Sequence, residues 1–412
     1  MNEILREFGI EVKRYVPSIY EEVVTLGAGS SSKGHVLLSY LIKPFLVKSE
    51  AQIPTSHTNH WRCLQIAKIL LDLGYTVDVI DSHNKTFEPT KSYTMFIGHR
   101  INFDRIAMLL NADCIKIAHL DTAHWIYNNY ATYRRKLELQ QRRGITIKGS
   151  DRIVEHTLAN EHADYVTVCG NNFNINTLRY LNKPIYTLPQ TPAVLYPWPE
   201  QKDHGACRKN FLWFGSHGFV HKGLDLALEA FAEMPDYHLY VCGPLGKEPD
   251  FVKAYEQELY RTSNIHPVGW VDVESPKFVT TANQCLGVVN PSCSEAGGGN
   301  VIVCMHAGLI PLVSYETSVD VHDYGVMFRD STINTIKDAV QLVSNLPVEQ
   351  LTRMSRRAWE FARDNHTRDK FAEEYEKLIV NILAKAAVKD EVGHVGCGRD
   401  SRATDSMTLM QK

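Results

Sequence analysis

Two short stretches carry the residue types that binding chemistry needs. In Ser294 to Val313, SEAGGGNVIVCMHAGLIPLV, a strand ending at Pro291-Ser292 leads to Glu295. Gly297, Gly298, Gly299 and Asn300 then form the first turn of a helix that continues through Val301. A helix start without side chains leaves backbone N–H groups open to an anion or a ring of hydroxyls. A carboxylate on the loop above it accepts two sugar-hydroxyl hydrogen bonds at once. The same glycines would equally serve close packing of helix on strand, with Glu295 a solvated loop acid. The second stretch, FLWFGSHGFVHKGLDLALEAF (211–231), passes from a strand through a loop holding Gly215, Ser216, His217 and Gly218 to Lys222-Gly223, which opens a helix. A lysine there, reinforced by the positive helix end, neutralises a departing diphosphate; taken singly, it reads as a solvated surface residue.

The elements that must position these residues follow from periodicity. HVLLSYLIKPF (35–45) reads as a buried strand, NHWRCLQIAKILLDLG (59–74) as a helix closed by Gly74, and YTVDVID (75–81) as the next strand. The alternation runs on to KPIYTLP (183–189), stops in the proline-rich PQTPAVLYPWPEQKDHGACRK (189–209), and restarts at NFLWFGS (210–216). Short apolar strands alternating with helices predict parallel sheets covered on both faces. The fold class is therefore α/β, with two doubly wound Rossmann-like domains facing a cleft. The expected division is 1–195, 205–345, amphipathic helices over 346–386 that pack back across the domains, and a disordered tail over 387–412.

In order and spacing, the two stretches resemble the C-terminal half of the retaining glycosyltransferases of the GT-B fold, in particular the large family-four group. Lys222-Gly223 matches that family's Lys-Gly pair, VCGP (241–244) its strand end at Gly243, VGWV (268–271) its element ending at Val271, and Glu295 the first of its two spaced glutamates. The match spans about 210–315. The resemblance implies a nucleotide-diphosphate sugar as donor, transfer with retention at the anomeric carbon, no bound metal and no further cofactor. It also implies that Gly215, Ser216, His217, Lys222, Gly243, Val271, Glu295, Gly297, Gly298, Gly299, Asn300 and Val301 bind the donor. Lys222, Glu295 and a histidine after a central strand of the first domain, His119 in CIKIAHLDTAHW (114–125), would be catalytic. SHTNHW (56–61) lies between the first strand and its helix and so opens into the cleft, where His57, Thr58 and Asn59 would line the side of a glycan, lipid-linked or other small acceptor; the family commonly has glycines at this turn. The chain departs from the pattern twice: the second glutamate falls on Val303, and the usual basic partner of the lysine falls on Ser216. His217 and His221 are nearby substitutes for that charge. A non-catalytic relative that binds sugar nucleotides as a scaffold is the alternative, and an epimerase of the same architecture a third.

Other features narrow the field. GAGSSSKGH (27–35) lacks the order of a phosphate-binding P-loop, and His119, Asp121 and His124 match no standard metal-ligand spacing. The basic segment ATYRRKLELQQRRGITIKGSDR (131–152) reads as a solvated helix face or as an attractor for an anionic lipid surface. A net charge of −3 with 44% hydrophobic and 22% charged residues points away from nucleic acid as a partner. Nine dispersed cysteines without a Cys-x-x-Cys fit a reducing compartment, so the expected location is cytoplasmic, with peripheral membrane contact left open.

Overall fold

The computed structural model describes residues 19–27, 31–47, 58–149 and 151–396, with side chains to 388. The first domain comprises β1 (Val23–Leu26), β2 (His35–Tyr40), α1 (Thr58–Asp72), β3 (Thr76–Asp81), β4 (Met95–Gly98), α2 (Phe103–Ala107), β5 (Ile115–Leu120), α3 (Trp125–Arg143), α4 (Ala159–His162), β6 (Tyr165–Cys169), α5 (Asn172–Leu178) and β7 (Ile185–Leu188). Its sheet order is β1-β3-β2-β4-β5-β6-β7, and only the edge strand β1 pairs antiparallel, with β3. That edge strand had no counterpart in the hydrophobic pattern because it is short and half exposed.

The second domain holds β8 (Asn210–Phe214), α6 (Leu224–Ala232), β9 (His238–Cys242), α7 (Pro249–Ala254), α8 (Glu256–Arg261), β10 (Ile265–Gly269), α9 (Pro276–Gln284), β11 (Gly287–Asn290), α10 (Gly299–His306), β12 (Ile310–Val313), β13 (Val326–Met327) and α11 (Ile333–Ser344). Its sheet is wholly parallel in the order β10-β9-β8-β11-β12-β13. Strands covered on both faces must be apolar almost throughout, as in VVN of β11 and IPLV of β12, whose residues are all buried. Where a charge enters such a strand it is matched: Asp78 in β3 accepts from Thr25 Oγ1 at 2.7 Å and Tyr93 Oη at 2.6 Å and pairs with Lys91 at 2.8 Å.

The chain crosses between the domains twice, through 189–209 and again after α12 (Val348–Asn365). α12 packs on the second domain through Leu351, Met354, Ala358 and Ala362. The last helix, α13 (Arg368–Gly396), returns to the first domain, where Phe371, Tyr375, Leu378, Ile379 and Ile382 complete the core beside Ile66 and Leu70 of α1. It runs past 387, where the composition suggested a disordered tail, because Ala386, Ala387 and Lys389 continue a favourable helical sequence; positions beyond 396 lie outside the described residues. In the opposite sense, Leu139 at the end of α3 and Ile147 just beyond it are buried in the core of the second domain. Among the described residues no helix is long and apolar enough to cross a membrane.

Candidate functional site

In the second sheet the strand order reverses between β8 and β11, and a crevice opens outside the carboxyl ends of strands at such a switch point. Lys222 follows β8 and Glu295 follows β11, so the topology alone brings the two stretches together. Lys222 Nζ donates to Glu295 Oε1, with the side chains only 5% and 11% exposed. Ser292 Oγ donates to the same oxygen at 3.1 Å, which leaves Oε2 without a hydrogen-bond partner among the described residues. Burial alone would raise the Glu295 pKa; Lys222, Arg152 and His221 outweigh it and bring it down to about 2, so the group is a carboxylate.

The three glycines divide the work. Gly297 (φ +72) and Gly298 (φ +44) are buried in left-handed conformations. A Cβ on Gly297 would stand 2.5 Å from Gln190 Nε2, and one on Gly298 2.5 Å from Val319 Cγ2. Both serve backbone geometry, Gly297 with close contact to the first domain and Gly298 with close packing inside the second. Gly299 and Asn300, in contrast, face the cleft at the start of α10, which has no side-chain cap, and Asn300 Nδ2 donates to Phe214 O at 2.6 Å, fixing that helix end to β8. Val301 is fully buried in the core.

A cleft of about 510 Å³ lies between the domains here. From the second domain, Gly215, Ser216, His217, Lys222, Gly243, Val271, Glu295, Gly299 and Asn300 line it, as does Val303. Thr58 lines it from the first domain; Asn59 does not, and instead accepts from Arg62 Nη1 at 3.2 Å, while His57 lies outside the described residues. His119 is absent from the cleft wall. It is 2% exposed at the end of β5, hydrogen-bonded through Nδ1 to Thr167 Oγ1 at 2.8 Å, and burial, with Arg62 and His99, depresses its pKa to about 3. The catalytic role expected of it is not supported: it is a neutral core histidine.

The replacement charge expected from histidine is likewise absent. His221 is buried and bridges the domains, its Nδ1 2.9 Å from Thr132 Oγ1 of α3 and its Nε2 2.6 Å from Ser294 O; burial pushes its pKa down to about 3. His217 does reach the cleft, where burial, Arg152 and Lys222 lower its pKa. Asp121 is held by Arg100 at 2.5 Å and His99 at 3.0 Å, and His124 caps α3 by accepting from Ile126 N at 3.2 Å, so neither is free to bind a metal with His119. No group of three or more His, Cys, Asp or Glu among the described residues could hold a metal ion.

Among the cleft residues that escaped the sequence reading are Arg152 and Gln190 from the first domain, and Trp270 and Asp272 after β10. Arg152 belongs to the basic segment that had suggested a lipid surface. That segment turns out to be spent largely on clamping the domains. Arg142 pairs with Asp225 at 2.6 Å and Glu229 at 3.1 Å, Arg143 pairs with Glu258 and lies over the Tyr255 ring at 4.4 Å, and Arg135 donates to Pro291 O at 3.0 Å. A second cavity of about 640 Å³ is lined by Arg134, Arg135, Arg142 and Arg329 together with Glu138, Glu316 and Asp330; of these cations Arg134 pairs with Glu138 and Arg142 with Asp225.

No family model matches the sequence, and no curated protein is similar to it in sequence. Solved structures share its architecture. Sucrose-phosphate synthase from Thermosynechococcus elongatus superposes with a TM-score of 0.59 at 13% identity, over 85% of this chain and 99% of that one. The Anabaena protein HepE, solved in complex with UDP-glucose, superposes with a TM-score of 0.51 at 12% identity over 85% of this chain and 100% of that one. TarM of S. aureus matches at a TM-score of 0.49 and 13% identity over 70% of this chain, which spans 54% of TarM's length. The fold is thus the GT-B arrangement of two Rossmann-like domains.

Proposed function

We propose that this protein is a glycosyltransferase that takes a sugar from a nucleotide-diphosphate donor held mainly by the second domain. The observation that carries the reading is the meeting of Lys222, Glu295 and the uncapped start of α10 in one interdomain cleft at the switch point of the second sheet. Glu295 Oε2 accepts sugar hydroxyls, while Lys222 and the backbone N–H groups of Gly299 and Asn300 face the diphosphate as charge develops on it. The base lies toward Gly243, Trp270 and Val271. Val303 offers no carboxylate to the ribose; besides Glu295, Asp272 is the acid on the cleft wall. The UDP-glucose complex of HepE, which shares the fold, supports a nucleotide sugar as ligand class. Retention at the anomeric carbon, independence of divalent metal, a glycan or lipid-linked acceptor and a cytoplasmic location complete the proposal.

The test is release of nucleoside diphosphate from a panel of UDP-, GDP- and ADP-sugars, with and without EDTA, by wild type and Lys222→Ala. Turnover by wild type that Lys222→Ala lowers at least tenfold is expected; no release from any donor refutes the enzyme. A binding-only relative is the second reading, favoured by the ion pair itself, since Lys222 is already neutralised by Glu295. Donor binding without turnover distinguishes it.

A further inference from the structure

We infer that Arg152, contributed by the first domain, is a diphosphate ligand of the cleft, so that the bound donor bridges the two domains. The inference rests on the donor reading above and deepens it. The second domain offers little unspent positive charge to an anion. Lys222 is paired with Glu295. His221 is buried and bridging, and Ser216 is exposed where a cation would otherwise reach the same wall. The loop's own N–H groups are partly used: Gly218 N and Phe219 N both donate to the buried carboxylate of Glu248, at 2.5 Å and 3.2 Å.

Arg152 is the exception. Its side chain lines the cleft, half-buried, and its guanidinium has no ion pair or hydrogen bond among the described residues. Its placement is built. The side chains of Asn128 and Asn129 on α3 grip its own backbone and that just after it, Asn128 Nδ2 donating to Arg152 O at 2.6 Å and Asn129 Nδ2 to Val154 O at 2.8 Å. Its aliphatic stem lies on Gly218, where a Cβ would meet Arg152 Cδ at 2.6 Å and Cγ at 2.7 Å. A planar guanidinium held there presents paired donors that suit phosphate oxygens. Its field already reaches both site partners, lowering the pKa values of Glu295 and Lys222.

Calorimetric titration of the full chain with UDP, GDP, ADP, the corresponding nucleosides and inorganic pyrophosphate tests this. Arg152→Gln should weaken the nucleoside diphosphate that wild type binds by about tenfold or more, and pyrophosphate likewise, while leaving the nucleoside unchanged. Arg152→Lys should lose less, and Ser216→Arg added to Arg152→Gln should restore affinity. Diphosphate affinity equal to wild type in Arg152→Gln, or an equal loss for nucleoside and diphosphate, overturns the inference while leaving the donor reading in place. Wild type that binds pyrophosphate but no nucleotide, with the pyrophosphate affinity falling in Arg152→Gln, supports the anion ligand and sinks the donor reading. Wild type that binds neither sinks both.

Discussion

The ammonium of Lys222 and the carboxylate of Glu295, 73 positions apart in the chain, form an ion pair at the floor of the interdomain cleft, with both side chains nearly buried. Removing one partner strands the other charge away from water. Lys222→Ala should therefore destabilise the fold by about 3 kcal/mol, whereas Lys222→Met combined with Glu295→Gln should cost clearly less than the two single changes together. Urea denaturation of the four proteins measures the coupling; additive losses would contradict a buried pair.

Acid should uncover the same pair. The folded pKa of Glu295, about 2, lies below the ordinary 4.5, so its contribution is fully present above about pH 5 and disappears as pH falls through 2. The stability gap between wild type and Glu295→Gln should stay constant above about pH 5 and narrow progressively below it. A gap unchanged between neutral pH and pH 3 would count against it.

Gly297→Ala and Gly246→Ala form a matched comparison. At Gly297 the added methyl meets Gln190 Nε2 at 2.5 Å and the backbone sits at φ +72, whereas at Gly246 nothing lies within 4 Å. The first should lose about 1–3 kcal/mol and weaken donor binding through the displaced Gln190, and the second should change little. Thermal unfolding with and without nucleotide reads both effects.

Arg142→Met should expose the cost of the clamp between domains. Asp225 is wholly buried, and its Oδ2 takes the 2.6 Å bond from Arg142. Loss of that partner should cost about 3 kcal/mol, recovered in part by Asp225→Asn in the same chain. A midpoint of denaturation equal to wild type would show the pair to be dispensable.

The alternation of strands and helices was legible because parallel strands buried on both faces must be apolar runs: β3 and β8 begin and end within two residues of the predicted limits, and β2 begins where predicted but stops at Tyr40. Lys222 and Glu295 were legible because a switch point places loops after particular strands together. His119 misled because a histidine at a strand end reads alike whether it points into a cleft or into a core, and only the contacts with Thr167 and Tyr40 decide. Arg152 was invisible for the converse reason: its neighbours Arg142 and Arg143 find acids far along the chain, and nothing in local spacing separates the cation left over from those already matched. The short edge strands β1 and β13 carry too few residues for a periodic signal.

The return of α13 to the first domain orders the making of the protein. Strands β2 to β7 leave the ribosome before α13 does, so the groove that takes Phe371, Tyr375 and Ile379 stays vacant until that helix has been made. The sheet synthesised second can thus close first, and the half synthesised first waits, with Ile66 and Leu70 uncovered, as a surface that chaperones would guard during biosynthesis.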